Sequence, residues 1–176
     1  KLDEIRARNI TDNVVEFTAA KIRLLPAVTQ HALQLAAVIG NQFDLDMLSR
    51  LQANNVQDTA GALWEALREG LCVPVDVDAR SSPPSDGRLP VELEHTVSYR
   101  FLHDRVQQAA YAANPPAQLP SLHRTIAQMI LERSHGHVED ASLFDLANHL
   151  RLAAAEITDA KERVQAAQIQ LRAGLR

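Results

Sequence analysis

Apolar residues recur along this chain at two periods, and the points where the period changes divide it. Val14, Val15, Phe17, Ile22 and Leu25 predict an amphipathic helix over Asn13–Leu24, with Thr11 or Asp12 placed to cap it. Pro26 suits the first turn of the next helix, since it has no N–H to leave unpaired. That helix carries Val28, Leu33, Leu35, Ala36, Ala37, Val38 and Ile39 and stops at Gly40. It is apolar on nearly every side, which predicts a central, buried helix. A short helix follows over Leu45–Leu51 with Asp44 as its cap. Another runs from Asp58 to Glu69, with Leu63, Trp64 and Leu67 inward and Gly70 as its stop.

The period then switches to two. Leu71-Cys72-Val73-Pro74-Val75 reads as a strand and Glu94–Phe101 as its return partner. Between them, Ser81-Ser82-Pro83-Pro84-Ser85-Asp86-Gly87 has the chemistry of a loop. Three helices and then a two-stranded hairpin is the order of a winged helix, in which the hairpin is the wing. The last third is helical again. Leu122, Ile126, Met129 and Ile130 share a face of Leu119–Glu132. Asp140 can cap a helix bearing Leu143, Leu146, Ala147 and Leu150, and Asp159 one bearing Val164, Ala167, Ile169 and Leu171. The predicted fold is mostly α: a linker helix over 1–25, a winged helix over 26–113, and over 114–176 a helical hairpin that begins a helical-repeat array.

Composition narrows the class without naming a function. The 176 residues are 46% hydrophobic and 23% charged, with a net charge of −4 and only 6 glycines, an ordinary helix-rich composition. The net negative charge offers nucleic acid no general attraction. The single cysteine, Cys72, lies among apolar neighbours and reads as a small core residue of a reducing compartment. No apolar run reaches membrane-spanning length, so a cytoplasmic location with no membrane contact by this segment is expected. The chain begins in charged helical sequence at Lys1 and ends inside a helical pattern at Arg176, and it reads as a segment of something larger.

Candidate chemistry is sparse. A DNA-binding winged helix inserts the helix before the wing, yet Asp58–Glu69 has Asp58, Glu65 and Glu69 against Arg68 alone. The stretch Asp76–Glu94 sets five acids against Arg80 and Arg88. Both elements would repel phosphate. His135-Gly136-His137 with Glu139 and Asp140 fits neither a helical histidine pair nor a zinc-finger spacing, and solvated loop histidines beside acids are common. No GxSxG, Cys–His pairing or P-loop occurs, so neither a catalytic residue nor a nucleotide site of its own is expected. His31, His123 and His149 sit on helices, where a satisfied or surface histidine is the ordinary reading. His103 stands apart. It ends the alternating run Val97–Phe101 immediately before an amphipathic helix that Asp104 can cap, and anions bind readily at such a helix start. The plainer reading is a partly buried histidine bonded to a neighbouring carbonyl.

The run Phe101-Leu102-His103-Asp104-Arg105-Val106-Gln107-Gln108-Ala109-Ala110-Tyr111 resembles the winged-helix segment of STAND ATPases. The likeness is to very large bacterial hybrids that join a Ser/Thr kinase-like domain, an AAA-like ATPase, a GAF domain and a sensor histidine kinase. Ile10–Val15, Leu33–Asp44, Phe144–Leu150 and Ile157-Thr158-Asp159 resemble the same proteins in the same order. The resemblance implies an ATPase core upstream, with ATP or ADP and Mg bound there and no cofactor in this segment, and helical repeats downstream. It also implies roles for Leu102-His103-Asp104, which is similar to the Met-His-Asp motif of that class: His103 as a contact to the ADP β-phosphate and Asp104 as its structural partner. The expected function is that of a regulatory arm, which closes on the ADP-bound core and relays its state to kinase domains and protein partners. The alternatives are an interaction scaffold without nucleotide contact and a DNA-binding winged helix.

Overall fold

The computed structural model describes residues 18–75, 97–134 and 138–175, and the chain falls into two units, Lys1–Asn114 and Pro115–Arg176. The first runs α1 (residues 18–23), α2 (Ala27–Ile39), β1 (Gln42–Asp44), α3 (Leu45–Leu51), α4 (Val56–Arg68), β2 (Cys72–Pro74), β3 (Ser98–Phe101) and α5 (Asp104–Ala112). The second runs α6 (Leu119–Arg133), α7 (Asp140–Leu152) and α8 (Ala160–Gly174). The described residues are mostly helical, with one small sheet among them.

Helix α2 is the centre of the first unit, as its all-round apolar sequence predicts. Ala32, Leu33, Leu35, Ala36, Ala37 and Val38 are buried, and the alanines let α4 and α5 pack against it. Val28, near its start, departs from that pattern and is exposed. The Asp44 carboxylate accepts from the Met47 N–H at 2.7 Å and so caps α3. Helix α4 starts at Val56, two residues before the expected Asp58, because the Asn55 side chain accepts from the Asp58 N–H at 2.8 Å. It ends in a double bond pattern: Gly70 N–H to Leu67 C=O at 3.0 Å and Leu71 N–H to Ala66 C=O at 2.9 Å. That closure needs a left-handed residue, and Gly70 supplies it at φ +66°. The predicted cap of α1 at Thr11 or Asp12 lies outside the described residues.

The sheet has three strands in the order β1-β3-β2, where the sequence pattern predicted two. The predicted pair is present: β2 and β3 are antiparallel, with Cys72 opposite Phe101 and Pro74 opposite Tyr99. The added strand β1 pairs antiparallel with β3 and sets Phe43 opposite Tyr99. Alternation along β3 turns Tyr99 and Phe101 inward and leaves Arg100 exposed. Phe43 packs on both rings, with centroids 6.0 Å from Tyr99 and 5.6 Å from Phe101. Such aromatic pairs across strands fix the register as well as filling the core. Cys72 is buried beside them, and burial pushes its thiol pKa up to about 12, so it is an inert core residue.

In the second unit Leu143, Leu146, Leu150, Ala127, Ile157 and Ile169 form one core. His123, near the start of α6, meets His149, near the end of α7, so those helices run antiparallel. Arg124 reaches Glu162, near the start of α8, with two bonds of 2.9 and 2.7 Å, so α8 runs in the direction of α6. Asp159 caps α8 as expected, accepting from the Lys161 and Glu162 N–H groups. One expectation fails here. The cap position of α7 is Glu139, and Asp140 is the first helical residue. The inward face of α8 is Ala166 and Ile169, whereas Val164, Ala167 and Leu171 are exposed. That helix has apolar residues on two sides, so periodicity alone could not choose between them.

Candidate functional site

The junction between β3 and α5 is built by its neighbours. The Phe101 N–H bonds the Asn41 carbonyl at 2.9 Å and the Leu102 N–H bonds the Leu71 carbonyl at 3.0 Å. Both flanking strands therefore hold the end of β3, and the next residues are presented beyond the sheet. Leu102 is 39% exposed, and His103 and Asp104 are exposed as well. His103 is extended (φ −142°, ψ 145°), and its carbonyl closes the first turn of α5 by accepting from Val106 at 2.9 Å. The plainer expectation of a partly buried His103 does not hold.

The expected cap at Asp104 is also corrected. His103 occupies the cap position without a capping side-chain bond, and Asp104 is the first helical residue. The reason lies in the backbone: His103 is the last extended residue, so the helix begins one position later than a cap at Asp104 requires. Asp104 then acts on the helix through charge, its carboxylate lying against the positive end of the dipole.

The pedestal under this junction was not legible in the sequence. The Gln107 amide donates to the Ala37 carbonyl at 2.9 Å. The buried Asn114 amide donates to the Gln34 carbonyl at 3.0 Å and to the Ala110 and Tyr111 carbonyls at 3.3 and 3.1 Å. Side chains from the start of α5 and from just past its end thus bond to α2, with Val106, Ala109 and Ala110 buried between. The one signal was an Asn set before Pro115-Pro116, where a helix has to stop. The imidazole of His103 is therefore displayed on a fixed support, where it can donate to an anionic group brought from outside the unit.

Other candidates resolve differently. Arg68, the one basic residue of α4, is held by Glu65 at 2.9 Å, and Glu69 is engaged by Lys21 at 2.9 Å. The helix before the hairpin thus has little cationic charge for phosphate. His123 and His149 are both buried, with their Nδ1 atoms 2.8 Å apart, so one ring donates to the other. Burial first, and then the charges of His149 and Arg151, lower the His123 pKa to about 4. His135 and His137 lie outside the described residues, among which no group of three or more His, Cys, Asp or Glu could hold a metal. No helix among the described residues is long and apolar enough to cross a membrane.

No family model matches the chain, and no solved structure matches it. A similarity to "Hybrid signal transduction histidine kinase G" of Dictyostelium discoideum extends over 128 residues at 27% identity. It covers 62% of this chain, and the chain spans about 4% of that much larger protein.

Proposed function

We propose that this chain is a winged-helix arm of a nucleotide-switch signalling protein, and that His103 is its contact with the switch. The carrying observation is the presentation of Leu102-His103-Asp104: exposed, at the end of a strand gripped on both sides, on a helix tied to the core. The element order supports the winged-helix reading, since three helices, a short strand after the first of them and a final two-stranded hairpin make up α2 to β3. The resemblance of this segment to STAND ATPases and the similarity to a signal-transduction histidine kinase point to the same setting.

In this reading an ATPase core elsewhere in the protein holds ADP or ATP with Mg. His103 donates to a phosphate oxygen in the closed, ADP-bound form, and Asp104 orders the turn that carries it. Exchange for ATP removes the contact, and the arm's equilibrium moves toward an open form that signals to kinase domains and protein partners. A desolvated bond of this type contributes on the order of 1.5–3 kcal/mol, enough to shift a closed–open equilibrium by roughly one to two powers of ten. This segment itself performs no catalysis, and the helical unit after it begins a repeat array.

The test is the ADP dissociation rate of the full-length protein, wild type against His103→Ala. The proposal expects at least a several-fold faster release with the fold unchanged. Equal rates would assign His103 to the surface and favour an interaction scaffold. That scaffold reading has one observation of its own, the exposed Leu102 beside His103. DNA binding is disfavoured by the neutralised, acidic face of α4.

A further inference from the structure

The corner between α1 and α2 has the form of a hinge. Leu24 and Leu25 separate the two helices, and Pro26 is extended (φ −54°, ψ 145°), so the helical backbone is interrupted there. Leu24 is 87% exposed and restrains nothing. Hinges are built from a few such positions at the ends of elements, where φ and ψ can change.

The side chains around this corner close it instead. Helix α1 has six residues, 18–23, too few to stay helical alone in water, so its order comes from docking. Thr18 and Ile22 are buried, which seats α1 in the core of its unit. The Lys21 ammonium donates to the Glu69 carbonyl at 2.8 Å and lies 2.9 Å from the Glu69 carboxylate. That carbonyl stands at the C-terminal end of α4, where peptide oxygens lack partners within the helix and the dipole is negative. The Gln30 amide spans the break. From the first turn of α2 it donates back to the Arg23 carbonyl at 3.1 Å and the Leu25 carbonyl at 2.8 Å. The ion pair of Lys21 is exposed and contributes little by itself, so the weight falls on the three carbonyls, all at or just past helix ends. The ties then continue along α2. The carbonyls of Gln34 and Ala37, four and seven residues after Gln30, accept from Asn114 and Gln107. Positions i, i+4 and i+7 share one side of a helix, so α1, the corner and the support of His103 are fastened along one side of α2.

We infer that the α1–α2 corner is a locked joint, and that α1 turns with the β3–α5 junction as one rigid body when the arm moves. The motion rests on the nucleotide reading above, whereas the lock does not.

The experiment places spin labels at Ala20→Cys on α1 and Ala112→Cys on α5, both exposed positions, and measures the distance between them by electron paramagnetic resonance. The native Cys72 is buried and takes no label. In the 176-residue chain a locked joint gives one narrow distance distribution. Lys21→Ala with Gln30→Ala should widen it and speed amide exchange in α1 by about tenfold or more, with α4 and α5 exchanging as before. In the full-length protein, with its other exposed cysteines replaced, the distance should be the same with ADP as with a non-hydrolysable ATP analogue. Several distances in the labelled 176-residue chain without the alanine changes, or a distance that shifts with the nucleotide, overturn the proposal and make the corner the bending point. If nucleotide alters neither this distance nor amide exchange in residues 97–112, the nucleotide reading alone fails, and the width measured in the 176-residue chain still decides the lock.

Discussion

Acid should loosen the three-helix unit through a single buried contact. His123 and His149 are 3% and 4% exposed, and their Nδ1 atoms lie 2.8 Å apart between α6 and α7. The arrangement works only while one ring donates an N–H and the other offers a lone pair. Protonating the accepting nitrogen turns the bond into a repulsion between two buried rings, with Arg151 adding to the local positive potential. In the unfolded chain a histidine takes up its proton near pH 6.5, whereas His123 in the fold does so only near 4. Between those values the unfolded state binds more protons, so stability rises with pH there and falls as pH drops. The contribution is whole above pH 6.5 and decreases by on the order of 3 kcal/mol by pH 4, with about 2 kcal/mol already lost at pH 5. Nuclear magnetic resonance of the imidazole ring protons reads the titration directly, and chemical unfolding followed at pH 7 and pH 5 reads the linkage. His123→Leu with His149→Leu should flatten the pH dependence across that window, because the titrating pair is gone while the core stays filled. A His123 that titrates near 6.5 in the folded protein would rule out this source of acid sensitivity. So would a double variant as acid-sensitive as the wild type.

Five single substitutions test the local physics. Asp159→Ala removes the side chain that accepts two N–H bonds at the start of α8 and should cost about 1 kcal/mol, whereas Asp104→Ala, which removes charge but no cap, should cost only a few tenths, about 0.3–0.5 kcal/mol; thermal melting of both variants checks the contrast. Gly70→Ala should destabilise by about 1 kcal/mol through its φ of +66°, with no clash since nothing lies within 4 Å of the added carbon, and Ala53→Gly, at φ +52°, should stabilise by up to about 1 kcal/mol; denaturant midpoints read both. Asn114→Ala leaves the Gln34, Ala110 and Tyr111 carbonyls without their shared donor and should cost about 1–3 kcal/mol, visible as faster amide exchange in α5; unchanged exchange would remove Asn114 from the pedestal.

What could be read from the sequence follows from how local each determinant is. The caps at Asp44 and Asp159, the stop at Gly70 and the burial of α2 depend on residues within a few positions of one another, and the structure agrees with each. Strand β1 was illegible because three residues, Gln42–Asp44, carry no period of their own and are held by pairing with β3 more than fifty residues on. The His103-Asp104 step shows a finer limit. Both residues suit a helix start, and only the last extended backbone position, His103, decides which one is the cap. For the candidate site, the strand-to-helix junction was readable, but the exposure of its triplet was not, nor were the Gln107 and Asn114 ties, whose acceptors are backbone carbonyls 70 and 80 residues away. The His123–His149 pair escaped for the same reason: each residue alone is an ordinary helical histidine, and only packing of α6 on α7 brings them together.

The central claim, that the β3–α5 junction is a nucleotide-sensing latch, is tested most directly by hydrogen–deuterium exchange on the full-length protein. The peptides to follow are those spanning residues 97–112, which contain β3, His103 and α5. A latch gives protection of this segment with ADP bound and faster exchange with a non-hydrolysable ATP analogue, the difference vanishing in His103→Ala. Identical exchange in both nucleotide states would contradict it.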